Sequence, residues 1–169
     1  MKISICFKKI TLLIFLSIIC VACSTVSPER EEIVEWASQI ARIEKQLEYE
    51  ITYFQPLIQR VTSQPPTNED LNQLTEYNNR ITALYNEISN LYVPQKARAV
   101  HALYVENYAK VSDTARYYVL AIKMNDLSYF DKSVLAAQES NRLGDEAYSA
   151  FANLLDDYSI SCSEIDFCE

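Results

Sequence analysis

Glycine is almost absent from this sequence, which has Gly144 alone among its 169 residues. Hairpin turns favour glycine, and a β-sandwich or β-barrel of this length would need many such turns. The loops that cradle phosphate groups and the sharp turn that presents a catalytic serine are also glycine-rich. The sequence has no G-x-x-x-x-G-K-[ST], G-x-G-x-x-G, G-x-S-x-G or H-E-x-x-H pattern. We therefore expect neither a β fold nor an enzyme.

Histidine is equally scarce, because His101 is the only one in the chain. A di-iron helical bundle needs Glu-x-x-His on two helices, which one histidine cannot supply. A haem would need a second ligand near His101, but Met124 lies 23 residues further along the same predicted helix, about 34 Å away. No C-x-x-C-H pattern is present either. We expect no metal and no cofactor, and we expect His101 to be packed and hydrogen-bonded.

Charge is missing from residues 10–22, an apolar run that follows a head with three lysines and no acid. A basic head and a short apolar run are typical of an export signal, because such a run enters the translocon yet barely spans a bilayer. We therefore predict that residues 1–22 are a signal peptide and take no part in the fold.

The end of this run reads Cys-Val-Ala-Cys at residues 20–23. This resembles the lipobox of bacterial lipoproteins, in which a small residue precedes a cysteine that is diacylglycerylated on sulfur and becomes the new N-terminus. Cys20 stands where the family usually has leucine, and Ile19 is too large for the small-residue position, so Cys23 is the matching cysteine. The resemblance extends only to the residue after Cys23. It implies an extracytoplasmic protein that is anchored to a bacterial membrane through lipidated Cys23.

Two other outcomes fit the same residues. Ordinary cleavage after Ser24 would release a soluble exported protein without Cys23. Residues 10–26, left uncleaved, would form an N-terminal anchor shorter than the usual length of about 20 residues. All three outcomes place residues 28–169 outside the cytoplasm.

Positive charge is in short supply, with 15 Lys and Arg against 23 Asp and Glu. Removing residues 1–22 takes away three lysines and no acid, so the net charge falls from −8 to −11. A surface of this charge repels phosphate backbones and anionic lipid headgroups. We therefore expect no nucleic-acid partner, and membrane contact only through the lipid anchor.

The two remaining cysteines of the mature chain, Cys162 and Cys168, lie in a tail at residues 159–169. In an oxidising compartment, an even pair close in sequence most simply forms a disulfide. A redox or metal pair is the alternative, but five residues separate the two cysteines and no histidine lies near. We predict the disulfide. In a host that makes no envelope disulfides, both thiols would stay free.

Apolar residues recur at helical spacing through residues 28–158, after a short tether at residues 23–27. Proline and capping signals divide this stretch into four predicted helices, at residues 28–62, 67–92, 94–124 and 128–158, with caps predicted at Ser27, at Thr67 with Asp70 and at Ser128 with Asp131. On the first helix we predict two buried seams, one of Ile33, Ile40, Leu47, Phe54 and Val61 and one of Trp36, Ile43 and Leu57. On the fourth we predict a buried stripe of Phe130, Val134, Ala137, Asn141, Gly144, Tyr148, Phe151 and Leu155. Short connections make successive helices antiparallel neighbours. We predict an all-α, up-down-up-down four-helix bundle, and its seven-residue apolar repeat indicates slight left-handed coiling.

Five residues form a possible ligand cleft on the predicted third and fourth helices. Tyrosine-rich seams usually belong to a core that reaches the rim, and a glycine within a helix favours close helix contact at a cost of about 1 kcal/mol. The functional alternative is an aromatic cleft for a small apolar or aromatic molecule. Its residues would be His101, Tyr104, Tyr108, Asn141 and Gly144.

These observations indicate a tethered binding or scaffolding module without catalysis, with an envelope protein as partner. The alternative is a carrier or sensor of a small ligand. A carrier would need a void lined by the five cleft residues, whereas a scaffold would combine a filled core with an exposed apolar patch.

Overall fold

The computed structural model describes residues 27–167, which form four α-helices and two short 3₁₀ turns, with no β-strand in that range. The helices are α1 (Pro28–Ser63), α2 (Asn68–Ser89), α3 (Arg98–Met124) and α4 (Ser128–Asp157), and the 3₁₀ turns are Gln95–Ala97 and Cys162–Ile165. The predicted all-α four-helix bundle is confirmed. None of the helices in the described range is both long and apolar enough to cross a bilayer.

The described residues divide into two units, residues 27–31 and residues 32–167. In the first unit, α1 begins as predicted, because the hydroxyl of Ser27 accepts a hydrogen bond from the backbone N–H of Arg30 at 3.2 Å. Pro28 is the first helical residue, where its missing N–H costs nothing. The second unit holds the bundle core.

The seven-residue repeat of α1 is buried throughout, as predicted. In a slightly coiled helix, residues seven apart lie on the same face, and this face contacts the neighbouring helices. The first seam comprises Ile33, Ile40, Leu47, Phe54 and Val61, and the second comprises Trp36, Ile43 and Leu57. This helix therefore supplies a continuous apolar wall to the other three.

Helix α2 starts at a capping box formed by Thr67 and Asp70, also as predicted. The Thr67 hydroxyl accepts from the Asp70 N–H at 3.2 Å, and the Asp70 carboxylate accepts from the Thr67 N–H at 2.8 Å. Arg60 of α1 forms an ion pair with the same carboxylate. The cap therefore also joins α2 to the end of α1.

The connection between α2 and α3 differs from its predicted form. Helix α2 ends at Ser89 rather than at residue 92. At this end the N–H of Asn90 donates to the carbonyls of Glu87 and Ile88. Buried Pro94 then begins a 3₁₀ turn, since its carbonyl accepts the Ala97 N–H at 3.0 Å. Hydrogen bonds between residues i and i+3, as in this turn, are common at helix ends. The α-helix proper thus begins at Arg98.

The predicted capping of α4 by Ser128 and Asp131 is wrong. The chain passes through Asn125, which has a left-handed conformation with φ of 51°. Asp126 then accepts a hydrogen bond from the Ser128 N–H at 2.9 Å. The first turn of α4 is therefore held by an acid two residues before the helix.

The buried face of α4 agrees only in part with the predicted one. Val134, Asn141 and Tyr148 of the predicted stripe are exposed, whereas Phe151 and Leu155 of the same stripe are buried as predicted. The residues that are buried are Ser133, Ala136, Leu143, Ala147, Phe151, Leu154 and Leu155. Small side chains take up much of this inner face, and small residues let two helices approach closely. Large apolar residues on the outer face misled the prediction.

The C-terminal tail folds back onto the bundle. Ser161 and Glu164 form a capping box at the second 3₁₀ turn, and Ile160 and Ile165 are buried in the core cluster. Cys162 lies in this turn, but Cys168 lies outside the described residues. The disulfide between them stays a prediction.

Ile40→Ala should lower the free energy of unfolding by about 2–5 kcal/mol, because Ile40 is fully buried and its loss leaves a cavity. Ile51→Ala, on the same helix but 46% exposed, should change it by less than about 1 kcal/mol. Urea denaturation of the two variants checks this. Equal losses in both would contradict the assigned buried face of α1.

Candidate functional site

Four aromatic side chains from three helices form the centre of the bundle. Trp36 of α1 donates its indole N–H to Nδ1 of His101 on α3 at 3.4 Å. The Trp36 ring lies 5.8 Å from that of Phe151 on α4, and Phe151 meets Tyr104 edge-on at 5.9 Å. Burial lowers the pKa of His101, so the neutral ring accepts this hydrogen bond. We call these four residues the aromatic centre.

The structure brings together only part of the predicted cleft. His101, Tyr104 and Tyr108 are buried side by side on α3. Asn141 is exposed on the outer face of α4, so its predicted place beside them is wrong. Gly144 is half-buried and faces α3 at a different residue, Asn107. The five residues therefore do not line one common void.

The environment of Gly144 is an amide contact between two helices. A Cβ atom built at Gly144 would lie 3.5 Å from Nδ2 of Asn107, which is an ordinary contact distance. The hydroxyl of Ser140, one turn earlier on α4, donates to Oδ1 of the same amide at 2.7 Å. Asn107 is thus held by α4, and this explains the close helix approach without a ligand.

A carboxyl group lies next to the aromatic centre. Tyr108 is fully buried, and its hydroxyl donates to Oε1 of Glu44 on α1 at 3.0 Å. Burial raises the pKa of Glu44, and the hydrogen bond from Tyr108 partly opposes that rise. Burial, and then the charge of Glu44, raise the pKa of both Tyr104 and Tyr108. Both phenols therefore keep their protons at neutral pH.

Glu44 lines an open cleft of about 840 Å³ between α1, α4 and the C-terminal tail, which we call the Glu44 cleft. The lining residues on α1 are Glu44, Lys45, Leu47, Glu48, Ile51 and Thr52. The opposite side is lined by Tyr148 of α4 and Phe167 of the tail, whose rings lie 6.2 Å apart. Phe167 also lies 5.5 Å from Phe151, so the tail joins the cleft to the aromatic centre.

A second open cleft of about 710 Å³ lies between α1, α2 and the tail. Its two arginines are already paired. Arg42 forms an ion pair with Glu87 at 2.5 Å, and Arg80 contacts Glu50 at 3.4 Å and Glu76 at 2.5 Å. The charges of both arginines are therefore compensated within the protein.

A weak sequence signal pointed to Glu44, and none pointed to Phe167. Glu44 directly follows the seam residue Ile43, so it is an acid at the border of an apolar face. Phe167 lies in a tail without periodicity, and only the fold places it against Tyr148 and Phe151.

Among residues 27–167, no group of three or more His, Cys, Asp or Glu side chains is arranged to hold a metal ion. Comparison with protein-family models, with curated proteins and with solved structures finds no match for this chain. The site is an aromatic cleft with a partly buried carboxyl group, which suits binding.

Glu44→Gln should stabilise the protein more at about pH 8 than at about pH 4. Because the folded-state pKa of Glu44 is raised above 4.5, ionisation of this carboxyl opposes folding. The native protein therefore loses stability as the pH rises from 4.5 through the folded pKa, and the variant lacks that loss. Urea denaturation of both proteins across this range measures the difference.

Glu35→Gln is the matched control, since Glu35 is exposed on the same helix. Its difference from the native protein should vary little with pH. A Glu44→Gln difference that shrank as the pH rose would contradict the assigned environment of Glu44.

Proposed function

We propose that this protein is a membrane-tethered, extracytoplasmic helical lipoprotein that acts as a binding or scaffolding module without catalysis. The observation that carries the proposal is the contrast between a filled interior and an apolar surface. Trp36, Tyr108 and Phe151 are each at most 1% exposed. Four large apolar side chains between residues 124 and 135 are instead more than half exposed: Met124, Leu127, Val134 and Leu135. Four exposed apolar side chains this close in sequence support contact with a partner.

The lipid anchor in this proposal rests on the sequence around Cys23, which lies outside the described residues. An uncharged run after a basic head supports export, and Ala22 before Cys23 supports lipidation of that cysteine. With two or three acyl chains on one residue, attachment to the membrane is stable without any help from the bundle.

The partner we propose is another protein of the cell envelope. A mature chain with a net charge of −11 disfavours nucleic acid and anionic lipid surfaces. The apolar residues between 124 and 135 and the acidic remainder suit a partner surface with apolar and basic side chains.

In the same oxidising compartment we propose that Cys162 and Cys168 are bridged, which a protein mass lower by two hydrogens would reveal.

A second candidate function is carriage or sensing of a small apolar or aromatic ligand. The observation that favours it is the Glu44 cleft, with Tyr148 and Phe167 on one side. A cleft of about 840 Å³ falls within the range of about 300–1,000 Å³ that is typical of ligand sites.

The full-length protein, expressed in a lipoprotein-processing bacterium and gently extracted from its membranes, should carry acyl mass on a chain that begins at Cys23. Cys23→Ala should abolish the acyl mass, because the sulfur that receives the lipid is gone. Cys20→Ala, three residues earlier, is the control and should leave it in place. Native mass spectrometry makes the measurement.

An unmodified soluble chain would contradict the lipoprotein proposal, and so would acylation that survived Cys23→Ala. A small molecule retained in the same spectra would favour the carrier function. Protein plus lipid alone would favour the scaffold.

A further inference from the structure

We infer that the Glu44 cleft binds a small organic cation with an aromatic or aliphatic body. This inference deepens the proposed binding function and rests on it. It follows from the charge of the cleft, from the aromatic rings that line it, and from the position of Glu44 at the border of the cleft and the aromatic centre.

The charge of the cleft is negative. Glu44 and Glu48 lie one helical turn apart on the same wall, and Lys45 is the one basic residue among the described residues that line the cleft. Two carboxylates and one ammonium group give this described lining a net charge of −1. The Glu44 carboxylate is held by Tyr108 through a single oxygen, at 3.0 Å. A ligand ammonium or guanidinium group would give this partly buried charge a compensating partner.

The opposite side of the cleft suits the body of such a ligand. Tyr148 is 58% exposed, so its ring is free to contact a ligand. The Phe167 ring lies beside it, inclined by 32°. Aromatic faces attract cations, and with Leu47 and Ile51 on α1 they form an apolar surface for hydrocarbon.

Other ligand classes fit this lining less well. An anion would meet two carboxylates. A divalent metal would need several oxygen ligands, whereas the side that faces Glu44 consists of rings. A neutral apolar ligand would take Glu44 further from water without compensating its charge, which costs free energy.

Among the groups that face Glu44, the hydroxyl of Tyr108 favours the charged form, whereas burial opposes it. From α3 it faces the phenols of Tyr104 and Tyr108, and Tyr148 of α4 lines the same cleft. On α1 its neighbours are Lys45 and Glu48. The phenols of α3 stay protonated and supply no positive charge, and the Tyr108 hydroxyl donates a hydrogen bond to Glu44.

The cleft between α1 and α2 is the weaker candidate. Oxygen Oε2 of Glu50 is buried without a hydrogen-bond partner among the described residues. This oxygen is closed to solvent, however, so a ligand in the open cleft does not reach it. The basic residues Arg42 and Arg80 there are already neutralised by acids.

The test compares three probes that share a phenyl ring and a short chain: 2-phenylethylammonium, 3-phenylpropionate and 2-phenylethanol. Each is titrated into the full-length protein in lipid nanodiscs at neutral pH and followed by ligand-observed NMR. The cation should bind most tightly. Glu44→Gln should weaken its binding at least about tenfold, the loss expected when a charge-assisted hydrogen bond is removed.

Two further variants keep the test decisive. Tyr148→Ala removes an exposed ring, so it should weaken cation binding without harm to the fold. Glu35→Gln, exposed on α1 and outside the cleft lining, should leave binding unchanged.

Equal binding of all three probes, no binding of the cation, or full binding by a folded Glu44→Gln variant would overturn the inference. Tight binding of 2-phenylethanol alone would overturn it while supporting an apolar carrier. The acyl mass at Cys23 is measured independently, so failure of the cation site and failure of the lipoprotein proposal are distinguishable.

Discussion

Burial of Trp36 between α3 and α4 is the contact on which the rest of the structure depends. An indole brought into a core needs an acceptor for its N–H, and the only histidine of the chain provides one. Because burial disfavours the charged ring, His101 remains neutral and able to accept. Trp36 also fixes Phe151, against which Phe167 packs. The position of the C-terminal tail therefore follows from that of one indole.

Glu44 lies at the border between this filled centre and the open cleft. On one side its carboxylate accepts a hydrogen bond from the hydroxyl of Tyr108. On the other side it lines the cleft with Tyr148 and Phe167. A charge in this position is costly for folding, because it loses water without gaining a cation. Features that oppose stability are often found where a protein binds something. In the proposed cation site, a bound ligand would offset this cost.

Long-range periodicity was predictable from the sequence, and local contacts between small residues were not. The seams of α1 and the capping box at Thr67 depend on spacing alone, and both were predicted. The inner face of α4 was missed in part, because Ala136 and Ala147 carry little hydrophobic signal, although small residues permit close helix approach. Asn141 was misplaced for the same reason. The cleft depends on where the tail folds back, and no periodic pattern encodes that.

The most direct measurement is a ¹³C NMR titration of the Glu44 side-chain carboxyl group, assigned by its loss in Glu44→Gln. If Glu44 lies at the border of core and cleft, its pKa should be above 4.5 in the free protein. Addition of 2-phenylethylammonium should lower that pKa, because a bound cation stabilises the carboxylate. A pKa at or below 4.5 that the cation left unchanged would contradict both the buried position of Glu44 and its role in binding.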